Sequence, residues 1–186
     1  MLLKKIIENK ININEKKISV IIGSSPSKGA RSPKLWNNCY KNLNIKKKMY
    51  PLDIKKKNLK NLVSLLKSKN CIIEGGSITI PFKEKFVKYV DYVSGSSKKI
   101  GAVNTFKIKD QKIYATNTDY EAIILQLKKF KISNNSKILI LGSGGVGKST
   151  LLAALNIFKK AQIYAYNRNY SKLLNFKKKN QKKNLK

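Results

Sequence analysis

The chain has 186 residues with 41 Lys and Arg against 9 Asp and Glu, a formal charge of +32, and 41% hydrophobic residues. No apolar run approaches the roughly 18 residues of a membrane span, and the charge-broken opening "MLLKKIIENK" is unlike a secretory signal. The absence of histidine and of close-spaced Cys, Asp and Glu excludes a His-based triad and a zinc site, so no metal is expected.

In chain order, "KISVIIG" (17–23) reads as a buried strand ending in glycine. "SPKLWNNCYKNL" (32–43) reads as a helix with Ser32 as N-cap and Pro33 in its first turn. "KKMYPLDI" (47–54) is a second strand, and "KKNLKNLVSLLKSK" (56–69) has apolar residues at helical spacing. "CIIEGGSITIPF" (71–82) reads as strand, glycine break and strand, and "KEKFVKYVDYV" (83–93) as a helix. "AVNTFKIKDQKIYATNTD" (102–119) reads as two strands around a Lys-Asp-Gln turn, followed by the helix "YEAIILQLKKF" (120–130). The polar break "KISNNS" (131–136) is the best boundary signal. Beyond it, "KILILG", a glycine loop, "TLLAALNIFKK" and "QIYAYNR" form strand, helix and strand. The expectation is an α/β protein with parallel crossovers and two domains, 1–120 and 121–176, followed by a frayed basic tail, 177–186.

The charge is nearly all lysine, since Arg31 and Arg168 are the two arginines. Nucleic-acid surfaces lean on arginine's bidentate fork, so no specific nucleic-acid partner is expected. Cys39 and Cys71 suit buried free thiols in a reducing compartment, and the chain reads as soluble and cytoplasmic. The scarcity of arginine marks both positions as ones that lysine does not fill.

"GSGGVGKST" (142–150) fits two phosphate-binding patterns at once. As G-x-x-x-x-G-K-[ST] it is a P-loop through Gly142, Gly147, Lys148 and Ser149. As G-x-G-x-x-G it is a dinucleotide-binding turn through Gly142, Gly144 and Gly147, which puts Gly145 and Val146 with them among the expected cofactor-binding residues. A P-loop enzyme needs an acidic magnesium ligand on a later strand, yet no Asp or Glu follows Glu121. The second strand ends in Asn167 and Arg168 where an NAD-type Rossmann unit has an acid for the ribose. Arginine there fits a 2′-phosphate, so the expected cofactor is NADP, with Lys172 one helical turn on as a second cation.

Taken together, "GSSPSKGARSP", "GGSITIPFKE", "IGAVNT", "TNTD", "GSGGVGKS" and "NRNYSK" resemble, in order, the motifs of the shikimate dehydrogenase family. The resemblance implies an N-terminal α/β substrate-binding domain followed by a partial Rossmann NADP-binding domain. It implies NADPH-dependent reduction of 3-dehydroshikimate, or a related polyol acid, to shikimate. Lys83 would be the acid/base, paired with Asp119; Thr79 and Asn104 would hold substrate hydroxyls, and Ser32 the carboxylate. Ketone reduction needs a proton donor at the developing alkoxide, and a lysine beside a carboxylate supplies one. Two departures stand out. Ala30 and Gly29 occupy the places of a family serine and histidine, which leaves Arg31 as the compensating carboxylate clamp. The family's nucleotide domain also continues through further strands and helices, so a truncated second domain is expected. The alternative is a non-catalytic remnant that still binds substrate or nucleotide. The expected partner is a small polyol acid, with no membrane, and a homodimer is admitted.

Overall fold

The computed structural model describes residues 2–130, 132–133 and 135–180. The chain divides into two compact units, Met1–Val93 with Val103–Thr116, and Ser94–Ala102 with Asn117–Lys186.

The first unit contains α1 (Leu2–Ile6), β1 (Ile18–Gly23), α2 (Ser32–Asn42), β2 (Met49–Asp53), α3 (Leu59–Leu66), β3 (Ile73–Ile78) and β4 (Tyr92–Val93). After α4 (Gly95–Ile100), which belongs to the second unit, it resumes with β5 (Thr105–Lys109) and β6 (Lys112–Thr116). The strands form one sheet in the order β2-β1-β3-β5-β6-β4. β1 runs parallel to both its neighbours, and all six of its residues are buried, as a central parallel strand requires; its one polar side chain, Ser19, is paired with the Tyr40 hydroxyl at 2.9 Å. Leu3 and Ile6 of α1 and Leu59, Leu62 and Leu66 of α3 share a core with Ile18, Val20 and Ile22 of β1. The β5–β6 hairpin turns on Asp110 and Gln111, both at positive φ, 50° and 60°, as a tight two-residue turn demands.

Three local expectations give way to tertiary contacts. The glycines of "EGGS" do not break the strand: β3 passes straight through them, and Gly76 pairs with Val20. A Cβ at Gly76 would stand 1.8 Å from the Val20 carbonyl oxygen, so glycine is there for close backbone approach. Residues 83–93 are not one helix but a 3-10 turn, Phe86–Tyr89, followed by β4. Phe82 and Phe86 are wholly buried, and the Asp91 carboxylate draws the chain to the sheet edge by accepting the Ile113 N–H at 2.8 Å and the Lys67 ammonium at 2.7 Å. Ser32 is not an N-cap. Arg31 takes that position with helical φ −78° and ψ −24° and no side-chain cap, and Ser32 is already the first residue of α2.

Asp91 gives a pH prediction. Burial alone would raise its pKa, but the Ile113 N–H and the Lys67 ammonium together hold it below the usual carboxylate value. A carboxylate with a depressed folded-state pKa stabilises the fold fully above its unfolded pKa, and that contribution is lost as pH falls through the folded value. Asp91→Asn should therefore lower the melting temperature at neutral pH and flatten its decline towards about pH 3. Parallel acid limbs in mutant and parent melts would contradict this.

The second unit begins with the α4 segment and continues with α5 (Thr118–Leu127), β7 (Lys137–Leu141), α6 (Gly145–Ile157), β8 (Gln162–Tyr166) and α7 (Tyr170–Asn180). β7 and β8 are parallel and joined through α6, a right-sized βαβ unit. Ile140, Leu151, Leu152, Leu155 and Ile163 form its core with Ile100 and Ala102. On the opposite sheet face Leu139 and Leu141 are 63% and 72% exposed, so one side of β7 is bare among the described residues. The chain passes into this unit at Asn117 rather than after residue 120. Asn117 is buried, donates to the Ala102 carbonyl at 3.1 Å and caps α5 through the Tyr120 N–H. The 131–136 break lies inside the unit, and Lys131 and Asn134 fall outside the described residues. The basic stretch expected to fray from residue 177 stays helical to Asn180, anchored by buried Leu173 and Phe176; residues 181–186 lie outside the described residues. No helix among the described residues is long and apolar enough to cross a membrane.

Candidate functional site

In the first unit the carboxyl ends of β1 and β3 lie side by side, and the loops that leave them are laced together by backbone bonds. The Thr79 N–H donates to the Ile22 carbonyl at 2.8 Å, and the Ser24 N–H to the Ile80 carbonyl at 3.1 Å. A Cβ on Gly23 would come 2.5 Å from Thr79 Cγ2 and 3.1 Å from the Ile80 carbonyl oxygen, so a larger residue there would have to push the Thr79 side chain aside. The Ile78 N–H donates to the Asn104 carbonyl at 2.7 Å, the Val103 N–H to the Lys83 carbonyl at 2.9 Å, and the Phe82 N–H to the Thr79 carbonyl at 2.9 Å. Three of the sequence-derived residues, Thr79, Lys83 and Asn104, are thereby gathered at one end of the sheet. Asn104 is 9% exposed and accepts the Thr105 hydroxyl at 3.0 Å; Thr79 and Lys83 are half-buried.

The loop after β1 carries Ser32 and Arg31. Around Pro26 it forms a 3-10 turn, Pro26–Lys28, in which the Pro26 carbonyl accepts the Ala30 N–H at 3.0 Å. Arg31 is exposed and Ser32 half-buried. Sequence reasoning missed what grips this turn: Asp53, at the end of β2, accepts the Ser27 N–H at 2.9 Å and the Ser27 hydroxyl at 2.5 Å. The available signal was an acidic residue closing the apolar run "MYPLDI".

Asp119 stands in the second unit, in the first turn of α5. In the same unit the glycine turn opens α6. Gly142 has φ 96°, and a Cβ on Gly142 or Gly144 would meet no atom within 4 Å, which leaves an open cradle. At Gly147 a Cβ would stand 2.3 Å from the Gly142 carbonyl oxygen, so the turn can wrap the helix start only with glycine there. No side chain caps α6, whose first N–H groups and positive dipole end suit a phosphate. Ser143 Oγ is buried and without a hydrogen-bond partner beside this cradle. These features fit a dinucleotide pyrophosphate. The P-loop alternative fits poorly: Ser149 is wholly buried, and its hydroxyl donates back to the Gly145 carbonyl at 2.9 Å rather than facing a metal.

The loop after β8 is tied to the same turn. The Gly142 N–H donates to the Tyr166 carbonyl at 2.8 Å, and Asn167 Oδ1 accepts the Ser143 N–H at 3.3 Å. Asn167 Nδ2 donates to the Asn169 carbonyl at 2.9 Å, which shapes the loop on which exposed Arg168 sits. Val146 is exposed on the first turn of α6, next to Gly145. The Lys172 side chain lies outside the described residues. No group of three or more metal-ligating side chains occurs among the described residues.

Residues 21–106 match the family described as shikimate dehydrogenase substrate binding domain. A shikimate dehydrogenase (NADP(+)) from Methanosphaera stadtmanae is 34% identical over 139 residues, 75% of this chain and 48% of the relative. The crystal structure of shikimate dehydrogenase from Aquifex aeolicus superposes with a TM-score of 0.76 at 29% identity, covering 91% of this chain and 62% of that one. A shikimate dehydrogenase solved in complex with NADP+ superposes with a TM-score of 0.74, also at 29% identity, covering 95% and 60%. The chain thus spans about half the length of the curated relatives it matches.

Proposed function

From the premise that the chain belongs to the shikimate dehydrogenase family, we propose that it is an NADP-dependent oxidoreductase. It would interconvert 3-dehydroshikimate, or a closely related polyol acid, and shikimate. The observation that carries the reading is the gathering of Thr79, Lys83 and Asn104 at the carboxyl ends of β1 and β3 by backbone bonds that do not depend on their side chains. Thr79 and Asn104 hold ring hydroxyls. The Lys83 ammonium gives its proton to the carbonyl oxygen as it becomes alkoxide, and in the reverse direction the neutral amine takes the hydroxyl proton. Asp119 is the carboxylate partner proposed for Lys83 and a ring hydroxyl. NADPH, when bound, supplies the hydride that reaches the carbonyl carbon. Gly142, Gly144, Gly145, Val146 and Gly147 cradle its pyrophosphate, and Asn167, Arg168 and Lys172 take the adenosine 2′-phosphate. The reading includes a cytoplasmic location and a homodimer. Absorbance of NADPH during incubation of the chain with shikimate and NADP+ tests it directly, and sedimentation tests the dimer.

The carboxylate loop gives a further prediction. Ala30 offers no hydroxyl, so Ser32, the start of α2 and the Arg31 fork must satisfy the substrate carboxylate. Ala30→Ser should tighten shikimate binding about 5–10-fold, the worth of one added hydrogen bond. Arg31→Lys should weaken it by a similar factor and leave NADP+ binding alone. If calorimetry gives unchanged shikimate affinity for both variants, the carboxylate is held elsewhere.

A further inference from the structure

Asp53 is the one charged side chain among the described residues that is buried, at 6% exposure. Burying a carboxylate costs several kcal/mol unless donors offset it, and as a packing element at the end of β2 an apolar residue would serve as well. What the carboxylate does instead is accept two donors from a single residue on another segment, the N–H and the hydroxyl of Ser27. Its own backbone is fixed from three sides. Its N–H donates to Asn9 Oδ1 at 2.8 Å, its carbonyl accepts the Glu8 N–H at 2.8 Å, and the next residue, Ile54, donates to the Gly23 carbonyl at 2.8 Å. Asn9 is held in turn by the Pro51 carbonyl at 3.0 Å. Asp53 is therefore a rigid post standing beside the root of the loop that leaves β1.

At its root the loop is tied by the Ser24 N–H to the Ile80 carbonyl at 3.1 Å, and past that point it has few anchors. Ser24, Ser25, Ser27, Lys28 and Gly29 are exposed, and Pro26 is its buried residue. Beyond Pro26 its other bonds are local, from the N–H groups of Lys28, Gly29 and Ala30 back to Ser25 and Pro26. Those local bonds wind the turn but do not say which way it faces. The grip on Ser27 does, and three residues beyond the turn come Arg31 and the start of α2.

We propose that Asp53 is a positioning residue for substrate recognition: through Ser27 it orients the 24–31 loop so that Arg31 and Ser32 meet a substrate carboxylate. The inference rests on the reading of that loop given above and adds the residue pair that aims it. In a loop with so few other anchors, ordering by one charge-assisted pair decides how much entropy ligand binding must still remove.

The test uses the full chain with shikimate and NADP+ as separate probes. Ser27 is exposed, so Ser27→Ala should leave the fold intact and raise the shikimate dissociation constant about tenfold with NADP+ binding unchanged. Ser27→Thr, which restores the hydroxyl, should bring shikimate affinity back. Asp53→Asn combined with Ser27→Ala should weaken binding no further than Asp53→Asn alone, because the two residues act as one device. Backbone amide exchange in Ser27→Ala should quicken across residues 24–31 and stay unchanged in β1 and β2. Parental shikimate affinity in Ser27→Ala, or an equal loss of NADP+ affinity, overturns the proposal. If the parent chain takes up no shikimate, it is the functional reading that fails, and the Asp53–Ser27 grip is then judged on exchange alone: unaltered exchange at 24–31 refutes it.

Discussion

Lys83→Ala should lower the rate of NADP+ reduction by shikimate about 10²–10⁴-fold, the usual contribution of a positioned acid/base. The loss should appear in kcat, with the dissociation constants of shikimate and NADP+ changed about threefold or less, because the ammonium's work is done on the developing alkoxide. The variant should fold normally. The backbone bonds around residue 83, Val103 N–H to the Lys83 carbonyl and Phe82 N–H to the Thr79 carbonyl, do not involve the side chain. Phe82 and Phe86 hold the segment in the core from either side. In a chain with 41 lysines and arginines, an alanine elsewhere is the needed control. Lys85→Ala, two residues away on the same segment, should retain the parental rate. Equal turnover in parent and Lys83→Ala would remove Lys83 from the chemistry, and equal losses in both variants would point to the charge of the segment rather than one proton donor. Asp119→Asn should reduce kcat too, by a smaller factor if its part is to orient and balance the lysine rather than to carry the proton.

How much of this could be read from the chain depends on how local the cause is. The buried run of β1, the hairpin at Asp110 and Gln111, and the glycine turn at Gly142–Gly147 are set by residues next to one another, and each stands where the sequence placed it. The "KEKFVKYVDYV" stretch misled because its apolar spacing is as good for a helix as for a turn followed by an edge strand. The decision was made by Ile113 and Lys67, distant in sequence, at the Asp91 carboxylate. The same holds for Gly75 and Gly76. Read locally they are breakers; in the sheet they let β3 lie close against β1 and β5. The α4 segment was not visible as part of the second unit, because what draws it there is the burial of Ile100 and Ala102 against α6 and β8 residues far along the chain. For the site, motif spacing named Thr79, Lys83 and Asn104, which the fold gathers at one end of the sheet. It did not connect Asp53 with Ser27, whose partnership spans 26 residues and exists only once β1 and β2 have paired.

Arg168→Ala should weaken NADP+ binding about 10–100-fold, the worth of a charge-assisted pair with a phosphate, and leave NAD+ binding within about twofold. The side chain is exposed, so its removal disturbs little. The loop beneath it keeps its shape through Asn167, which accepts the Ser143 N–H and donates to the Asn169 carbonyl, and through the Gly142 N–H on the Tyr166 carbonyl. The measurement must be a ratio. With a formal charge of +32 the chain attracts any polyanion, and the extra phosphate of NADP+ gains from that general field at every site. At about 0.15 M salt the field beyond roughly 8 Å is screened, and what remains is contact. Lys178→Ala, farther along α7, removes the same charge from the field without touching the phosphate loop, so it should lower both affinities slightly and leave their ratio intact. Asn167→Asp takes the argument the other way. A carboxylate there would accept the ribose hydroxyls and repel a 2′-phosphate, the arrangement of NAD-binding turns, so the preference for NADP+ should fall or reverse. Should NAD+ bind the parent chain as tightly as NADP+, or should Arg168→Ala and Lys178→Ala shift the ratio equally, then selectivity for the phosphorylated cofactor does not come from this loop.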